Sequence, residues 1–446
     1  MSAAQRQALL LTLGFLAFAA VYNGLVMSPV LEQMAREFGI TTGTAGLVVA
    51  AYGAPGIAVA LIAGPYSDRI GRKPFLVVGP LIMGLSTIAA AIAPTFALIV
   101  AAYGAPGIAV ALVAGPYSDR IGRKPFLVVG PLVMGISTLA AAIAPTFGLI
   151  IAARIASGIG ASVLFPNINA TIADTFPFRE RGRAIATAIG MNTMASVVGV
   201  PIAGIVAEAT SWRVSVALVG ALAIVAAAVL FVRMPNAQGT NRESKIRALY
   251  ALILRDRSAV AAVLSSFLGA LFWFTWATYL VVYFQRTFGL SEGPASTVAL
   301  TLGLGVLIGS QIGGRLGDRI GHRRIVAGSV VSAGFLLLLQ TNLPLPLAAT
   351  AALNLTLSAV IGARFATNNA LMSEQVPEAR GTMLALSAAV ASVAIVVGAV
   401  VGGILVDGPG FGLLGVFCFA VAAGSAAIVL LFVREEPIDL EVQPLR

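Results

Sequence analysis

A single arginine stands deep within one of the long apolar runs of this chain, where its charge could bind an anionic group. Arg154 lies roughly two helical turns into the run that begins near residue 147. An unpaired cation at the centre of an apolar span costs about 2.5–3.5 kcal/mol, so such a residue is a functional candidate by default. The alternative is a structural arginine that is bonded to backbone carbonyls.

Uncharged polar and aromatic side chains in other apolar runs could line a binding cavity. The asparagines of this kind include Asn23, Asn167, Asn192 and Asn368. An aromatic set follows the helical spacing i, i+4, i+7 and i+11: Phe272, Trp276, Tyr279 and Tyr283. Such a face could form the wall of a cavity for an apolar ligand, although the two tyrosines could equally belong to an interfacial aromatic belt. Helix-to-helix hydrogen bonds would explain any one of the asparagines as well.

Ionisable groups elsewhere lie near the ends of the apolar runs. Glu32, Glu208 and Asp407 stand at one set of ends, and no acid lies in the middle of a run. Any proton coupling would therefore depend on these carboxylates or on aspartates between the runs, and Glu208 is kept as a coupling candidate. Arg364 lies about two turns from the other end of its run, and we expect its long side chain to reach the interface.

Catalytic and metal-binding chemistry is not indicated by the residue types present. Cys418 is the sole cysteine and His322 the sole histidine, which excludes disulfides and cysteine- or histidine-rich metal sites. The chain contains no nucleotide-binding loop and no nucleophile–base constellation. The sequence predicts a protein that is not an enzyme and has no catalytic residue, metal or organic cofactor.

These residues must be positioned by membrane-spanning helices. Hydrophobic residues make up 59% of the 446, charged residues 10%, and the mean hydropathy is +0.96, whereas soluble domains carry about 25% charged residues. Apolar runs of about 20 residues, enough to cross about 30 Å of hydrocarbon, recur throughout. The predicted class is an all-α polytopic membrane protein with fourteen spans near 8–28, 44–65, 74–93, 95–116, 125–144, 147–171, 183–207, 213–233, 258–283, 296–316, 323–341, 346–370, 381–406 and 411–433.

The distribution of lysine and arginine orients the spans. If the N-terminus is cytoplasmic, 23 of the 28 basic residues fall on the inner side and 3 on the outer side. The positive-inside rule then places both termini in the cytoplasm, in a multi-pass protein of the cell's inner (plasma) membrane. The net charge of +10 is thereby explained by topology in the lipid bilayer, and no nucleic-acid partner is expected.

One helical hairpin is present twice in tandem. Residues 51–100 match residues 102–151 at 44 of 50 positions, and the differences exchange small or aliphatic groups. Beneath this lies an older repeat, because Phe38 corresponds to Phe288 at an offset of 250 and Pro177 to Pro377 at an offset of 200. The change in offset is about the length of the inserted copy. The sequence thus predicts an N-terminal helical bundle over 1–233, a cytoplasmic linker over 234–257 and a C-terminal bundle over 258–446.

Three copies of one loop motif resemble the signature of a known family. "GPYSDRIGRK" occurs at 64–73 and 115–124, and "GRLGDRIGHR" occurs at 314–323. With these motifs the chain resembles the major facilitator superfamily, whose members are built from two pseudo-symmetric six-helix bundles; here the duplicated hairpin would be extra. "RIASGIGA" at 154–161 and "GVPIAG" at 199–204 are similar to further motifs of the family, the latter to its drug-antiporter motif, with Val200 inserted. In relatives the arginine that matches Arg154 faces a central cavity and takes part in substrate or proton coupling.

The resemblance implies that the motif aspartate latches one half to the other when the inner side is closed. The latch residues would be Gly64, Asp68, Arg69, Gly71 and Arg72 in the first copy, Gly115, Asp119, Arg120, Gly122 and Arg123 in the second, and Gly314, Asp318, Arg319 and Gly321 in the C-terminal half. The partner of Asp68 or Asp119 would lie near 380–382, and that of Asp318 near 181–183. Only one of the first-half copies can occupy that place.

The resemblance further implies a secondary active transporter that works by alternating access. The favoured function is proton-coupled efflux of small amphipathic compounds, driven by the proton motive force and carried out by a monomer. An uptake or facilitated carrier for a small anionic metabolite is an alternative, in which Arg154 would bind the negative group. A transport-inactive paralogue with a structural or sensing role is a second alternative.

The topology of the duplicated hairpin can be tested by labelling its two loops. Arg72→Cys and Arg123→Cys, each alone in a Cys418→Ala background, are expected to react with a membrane-impermeant maleimide from the cytoplasmic side only. Arg36→Cys, which replaces one of the outer basic residues, should react from the opposite side and serves as the control. Labelling of Arg72→Cys and Arg123→Cys from opposite sides would contradict the predicted topology.

Overall fold

The structure is a computed structural model that describes residues 3–55, 124–162, 164–234 and 252–435. Its helices are named in chain order as α1 Ala3–Leu25, α2 Leu31–Phe38, α3 residues 42–55, α4 Lys124–Ile143, α5 Phe147–Ser162, α6 Leu164–Thr175, α7 Phe178–Met194, α8 Val200–Ala209, α9 Trp212–Arg233, α10 Arg257–Phe288, α11 Glu292–Val298, α12 Leu300–Ile320, α13 His322–Asn342, α14 Leu347–Gln375, α15 Arg380–Asp407 and α16 Phe411–Phe432.

The described ranges are helical and contain no strand, so the all-α class is confirmed. Within them, 10 helices are long and apolar enough to cross a membrane. Two predicted spans, near 74–93 and 95–116, lie outside the described residues, and the count of fourteen stays a prediction. The chain is a multi-pass membrane protein, and some of its spans, such as Gln5–Phe38 and Glu292–Ile320, consist of two consecutive helices.

The two ends of the helical bundle are named here by residues. The Asp407 end is the one at which α2, α8, α10 and α15 finish. The His322 end is the opposite one, at which α13 begins and α12 finishes. The positive-inside expectation puts the Asp407 end outside the cell and the His322 end in the cytoplasm.

Equivalent helices of the two halves pack in the same way, as the older repeat predicts. Helices α4 and α9 run antiparallel and touch at two glycines: a Cβ atom on Gly135 would lie 2.7 Å from the Gly220 carbonyl oxygen. Gly334 follows Gly135 by 199 residues and lies in α13, which packs on α16. A Cβ on Gly334 would lie 2.7 Å from Cβ of Ala422. Contacts this close need residues without a side chain.

The second copy of the duplicated hairpin supplies the helix beside α9. Helix α4 belongs to that copy, and it also packs on α5, where a Cβ on Gly160 would lie 2.5 Å from the Gly130 carbonyl oxygen. The equivalent helix of the first copy, and both first-half motif loops up to Arg123, lie outside the described residues. The predicted linker lies there for the most part too, so the domain boundaries stay a prediction.

Buried apolar side chains form a core that joins the two halves towards the Asp407 end. One cluster combines Met27, Leu31 and Trp212 of the N-terminal half with Trp276 and Phe284 of the C-terminal half. Most of its N-terminal members lie in the parts of their helices nearer to the Asp407 end, whereas Ile155 and Ile159 extend it along α5. The N-terminal residues nearer to the His322 end form a separate cluster, which has no C-terminal member among the described residues.

The segment that carries the "GVPIAG" motif contains a turn of π-helix. The turn spans Ala195–Gly199, between α7 and α8. Pro201 follows after Val200, and its ring removes a backbone donor and crowds the preceding turn, which is a usual cause of such irregularity. The turn packs across the halves, since a Cβ on Gly303 would lie 2.7 Å from the Cα of Val197.

Helices α12 and α14 pack through a line of glycines spaced four residues apart. Gly305, Gly309 and Gly313 face α14, and a Cβ on Gly309 would lie 1.7 Å from the Ala359 carbonyl oxygen. In a lipid environment such close packing replaces the hydrophobic effect as the force that holds helices together.

Filling this contact is expected to destabilise the C-terminal half. Gly309→Val would force a backbone shift, with a cost of about 1–3 kcal/mol or more, measured as a lower thermal unfolding temperature of the purified protein. Gly328→Val is the matched control, because Gly328 is exposed on a helix and nothing lies within 4 Å of an added Cβ. Equal unfolding temperatures for the two variants would contradict the packing.

Candidate functional site

Arg154 is fully buried and bonded to its own half of the protein. Its Nη1 donates to Asn23 Oδ1 at 2.8 Å, and its Nη2 donates to the Asn23 carbonyl oxygen at 3.0 Å. Nε donates more weakly to the Val48 carbonyl oxygen, at 3.5 Å. The guanidinium carbon also lies 4.5 Å from the centroid of the Tyr52 ring, a distance at which the ring face attracts a cation.

Asn23 completes a polar cluster that ties three helices around this charge. Its Oδ1 also accepts from Ser157 Oγ at 2.9 Å, and its Nδ2 donates to Thr138 Oγ1 at 2.7 Å. Among the described residues no carboxylate pairs with Arg154. The cluster therefore satisfies the hydrogen bonds of the guanidinium and leaves its charge without a counter-ion.

The equivalent place in the C-terminal half holds Asn354, 200 residues after Arg154. Its Oδ1 accepts from Trp276 Nε1 at 3.0 Å, and its Nδ2 donates to Thr301 Oγ1 at 2.7 Å. Both sites join the equivalent pair of helices, α5 to α1 and α14 to α10. Both halves thus have a polar hydrogen bond between helices at the same position of the repeat. An arginine donates it in the N-terminal half, whereas an asparagine accepts it in the C-terminal half.

The predicted aromatic face lies in the core of the C-terminal bundle. Phe272, Trp276 and Tyr279 are fully buried and Tyr283 is almost so. Tyr279 donates its hydroxyl hydrogen to the Ala399 carbonyl oxygen at 2.7 Å, and Tyr283 likewise bonds the Gln340 carbonyl oxygen at 2.7 Å. In this structure these side chains are covered by other helices, and their contact with a substrate stays a prediction. The helical spacing of the four aromatic residues correctly indicated that they share one face of α10, and this face packs in the interior of the C-terminal bundle.

The other predicted asparagines do not converge on one place. Asn368 is buried in the C-terminal half and accepts from Ser266 Oγ at 3.1 Å. Asn167 is buried in α6, and Asn192 is half-buried in α7. Of the asparagine and arginine candidates for substrate contact, the structure brings together Arg154 and Asn23 alone among the side chains it describes.

Arg364 is a second buried cation, and its burial corrects the expectation that its side chain reaches the interface. Only 2% of it is exposed, and its Nη2 donates to the Ser265 carbonyl oxygen at 3.0 Å. A glycine makes this possible, since a Cβ on Gly269 would lie 2.0 Å from the guanidinium. The sequence signal for this placement was the glycine on the facing helix α10, four residues after Ser265.

Glu208 takes part in a contact between the two halves at the Asp407 end. Its Oε1 accepts from Ser291 Oγ at 2.6 Å, and its Oε2 accepts from the Gly293 backbone N–H at 2.8 Å. Asp407 makes a similar bond in the opposite direction, as its Oδ2 accepts from the Gly43 backbone N–H at 2.8 Å. Each carboxylate ends one helix and reaches the first turn of a helix in the other half, where backbone donors are left free by the helix geometry.

Two arginines add further bonds between the halves at the same end. Arg36 lies 2.6 Å from Glu292, and Arg286 lies 2.7 Å from Glu32. Arg286 also donates to Thr42 Oγ1 at 2.5 Å. The deepest hydrogen bond between described residues of the two halves runs from Ser28 Oγ to the carbonyl oxygen of residue 278, at 2.8 Å.

The described motif loop lies at the His322 end and is open to solvent. The side chain of Asp318 is 75% exposed and lies 3.5 Å from His322 Nε2. Gly321 has a φ of 104°, which lets the chain turn between α12 and α13. Gly314 and Arg319 lie in the last two turns of α12. The expected partners at 181–183 have side chains outside the description, so pairing of Asp318 there stays a prediction.

One group of potential metal ligands occurs in the part of the chain that the structure describes. His322 Nδ1 lies 3.0 Å from a Glu374 oxygen and 3.8 Å from a Glu435 oxygen. Glu435 also accepts from the backbone N–H groups of His322 and Arg323. These bonds cap the start of α13, which accounts for the position of the carboxylate without a metal.

A family model described as Major Facilitator Superfamily matches residues 10–102, 92–310 and 283–445. Among solved structures, a bacterial homologue of the human lysosomal transporter Spinster has the same fold, with a TM-score of 0.63 at 14% identity over 96% of this chain and 95% of that one.

Curated relatives match shorter stretches. Multidrug resistance protein 1 of Bacillus subtilis is 30% identical over 148 residues, which cover 33% of this chain and 38% of that protein. The probable sulfoacetate transporter SauU of Cupriavidus necator is 26% identical over 162 residues, or 36% of each chain. The match thus spans well under half the length of these relatives.

The Asn23 cluster is expected to support the buried charge of Arg154. Asn23→Ala would remove the Oδ1 acceptor from the guanidinium and leave the backbone carbonyl acceptor in place, and it should lower the free energy of unfolding by about 1–3 kcal/mol. Asn192→Ala, at a half-buried position, is the control and should have a smaller effect. In an Arg154→Met background the cost of Asn23→Ala should shrink, because no charge is then stranded. An unchanged cost in that background would contradict the role given to Asn23.

Proposed function

The chain belongs to the Major Facilitator Superfamily, and from this membership we propose that it is a secondary active transporter that exports small amphipathic compounds in exchange for protons by alternating access. In this proposal the protein works as a monomer in the plasma membrane with both termini in the cytoplasm. The proton motive force drives it, and no other cofactor is needed.

The observation that carries the transport mechanism is closure at one end. The charged and backbone bonds between described residues of the two halves lie at the Asp407 end, and so do most of the N-terminal members of the apolar cluster that joins the halves. At the His322 end the N-terminal half has a separate core, and Asp318 of the motif loop is exposed. Two bundles that touch at one end can rock about that contact.

The state described would accept a substrate from the His322 end. With that end in the cytoplasm, this is the loading step of an exporter. Export then requires that the bonds at the Asp407 end break and that the motif loops close the His322 end. The resemblance of Asp318 to the latch aspartate of the family supports the second half of this cycle.

Efflux of amphipathic compounds is supported by the similarity to the Bacillus subtilis multidrug resistance protein. Transport of a small anion is the second candidate, and one observation favours it: Arg154 and Arg364 are buried cations that have no ion-pair partner among the described residues. The similarity to a probable sulfoacetate transporter agrees with that candidate. In this structure both guanidinium groups are enclosed by their own halves, so an anion would reach them only after a rearrangement.

Protein reconstituted in liposomes tests the proposed function. An imposed pH gradient should drive a fluorescent amphipathic cation against the direction of proton movement, and a protonophore should abolish the flux. Arg154→Met is expected to lower transport strongly if Arg154 takes part in coupling, whereas the folded fraction, measured by gel filtration, controls for stability.

A panel of small sulfonates and carboxylates distinguishes the second candidate. Flux of an anion that does not respond to the pH gradient would indicate a facilitated anion carrier and would contradict proton-coupled efflux. An intact fold with no flux of any compound in either panel would contradict transport and favour a protein with a sensing role.

A further inference from the structure

We propose that Glu208 and Asp407 form a two-fold related latch that holds the Asp407 end closed while both are ionised and releases it when they are protonated. The proposal rests on the proposed alternating access, since it names the bonds that must break for the Asp407 end to open. It does not depend on the identity of the substrate or on proton coupling.

The two carboxylates are equivalent positions of the internal repeat. Asp407 follows Glu208 by 199 residues, and Gly293 follows Gly43 by 250 residues, the two offsets that relate the halves on either side of the duplication. The bonds they make are equivalent as well, each joining a carboxylate oxygen to a glycine backbone N–H at 2.8 Å. One contact and its symmetry mate therefore close the same end of the molecule.

Two of the three arginine contacts between the halves obey the same symmetry; the third, between Arg286 and Glu32, has no mate because Val282 stands 250 residues after Glu32. Arg286 follows Arg36 by 250 residues, and Glu292 follows Thr42 by 250 residues. Arg36 bonds Glu292, and Arg286 bonds Thr42, so the pairs exchange under the repeat. Four hydrogen bonds thus form two matched sets around the contact. Independent surface pairs would have no reason to match in this way.

Charged groups surround each carboxylate from the elements packed against it. Glu208 faces Glu292, which is paired with Arg36, and beyond them lies the pair of Arg213 and Glu37. The ionisable group on the facing helix α11 is thus another acid, Glu292. Arg36 pairs with Glu292, and no bond joins Arg36 to Glu208 among the described contacts.

Asp407 has a similar environment. Arg286 lies beside it and donates to the carbonyl oxygen of the neighbouring Val406 at 3.4 Å, while pairing with Glu32. Tyr279 is the remaining titratable neighbour, and its hydroxyl donates to Ala399. Neither Glu208 nor Asp407 has an ion pair of its own among the described residues. Their charge is used to hold backbone donors.

Protonation weakens the latch for a simple reason. An ionised carboxylate accepts from a backbone N–H through a charge-assisted bond, which is about twice as strong as a neutral one. Both residues are exposed at the surface of the Asp407 end, so a proton can reach them from the solution there. Because that proton would return to the same side, the latch regulates access and does not itself couple transport to the gradient.

Distances between spin labels on the two halves test the latch without any substrate. Thr210→Cys and Leu343→Cys place labels at exposed positions of the Asp407 end, and Pro177→Cys and Pro377→Cys place them at exposed positions of the His322 end, all in a Cys418→Ala background. In lipid nanodiscs, Glu208→Gln with Asp407→Asn should shift the ratio of open to closed Asp407 ends by about tenfold or more. The distance at the His322 end should shorten in the same molecules.

Acidification of the unmutated latch should reproduce this shift. Lowering the pH should lengthen the distance at the Asp407 end, and the double variant should respond less than the parent, because only the Arg36–Glu292 and Arg286–Glu32 pairs then remain between the halves. Glu37→Gln is the matched control: Glu37 is an acid at the same end that bonds Arg213 and Trp212 of its own half. It should leave both the distances and the pH response unchanged.

Two results would overturn the latch. One is a folded double variant whose distances equal those of the parent; the other is a shift in Glu37→Gln as large as that in the double variant. If the double variant does not fold, each single variant should show part of the shift, and unchanged distances in both singles overturn the proposal equally. Loss of all transport with an intact pH response of the distances would count against the proposed function and leave the latch standing.

Discussion

The structure depends on where the hydrogen bonds between its two halves are placed. A polar group inside hydrocarbon must be satisfied by the protein, because no water can replace a broken bond there. In the proposed transport cycle, bonds that have to break can therefore be placed only where water reaches them. The carboxylate and arginine bonds between the halves lie at the Asp407 end, whereas the buried bonds of Arg154 and Asn23 stay within one half. The deepest bond across the halves, from Ser28, is uncharged.

Internal repetition explains why the closing contacts come in matched sets. Glu208 of the N-terminal half bonds the first turn of a helix in the C-terminal half. Asp407 of the C-terminal half makes the symmetry-related bond to a helix in the N-terminal half. The later duplication of one hairpin did not disturb this arrangement, because α4, from the second copy, fills the position next to α9. The packing within each half shows the same repeat, because Gly135 and Gly334 make close helix contacts at equivalent positions.

Much of the fold could be predicted from the sequence, because span length and the placement of basic residues are strong physical constraints. The polar residues that matter, Arg154 and Asn23, could be found as well, since polar groups in apolar runs are rare. Their bond could not, because it joins helices far apart in the chain. The burial of the aromatic face of α10 could not be predicted, since periodicity shows which residues share a face but not what covers it. The latch escaped detection for another reason: the partners of Glu208 and Asp407 are backbone N–H groups, which leave no mark in the side-chain pattern.

The central claim is that the two halves must separate at the Asp407 end during transport. A reversible cross-link between them tests it most directly. A Cβ on Gly204 would lie 2.3 Å from Cβ of Ser296 in the other half, near the Asp407 end, so two cysteines there need a shift of only about 1.5 Å to reach the Cβ separation of about 3.8 Å found in disulfides. Gly204→Cys with Ser296→Cys, in a Cys418→Ala background, should stop transport in liposomes when oxidised and recover it when reduced. Undiminished transport by fully cross-linked protein would contradict the account.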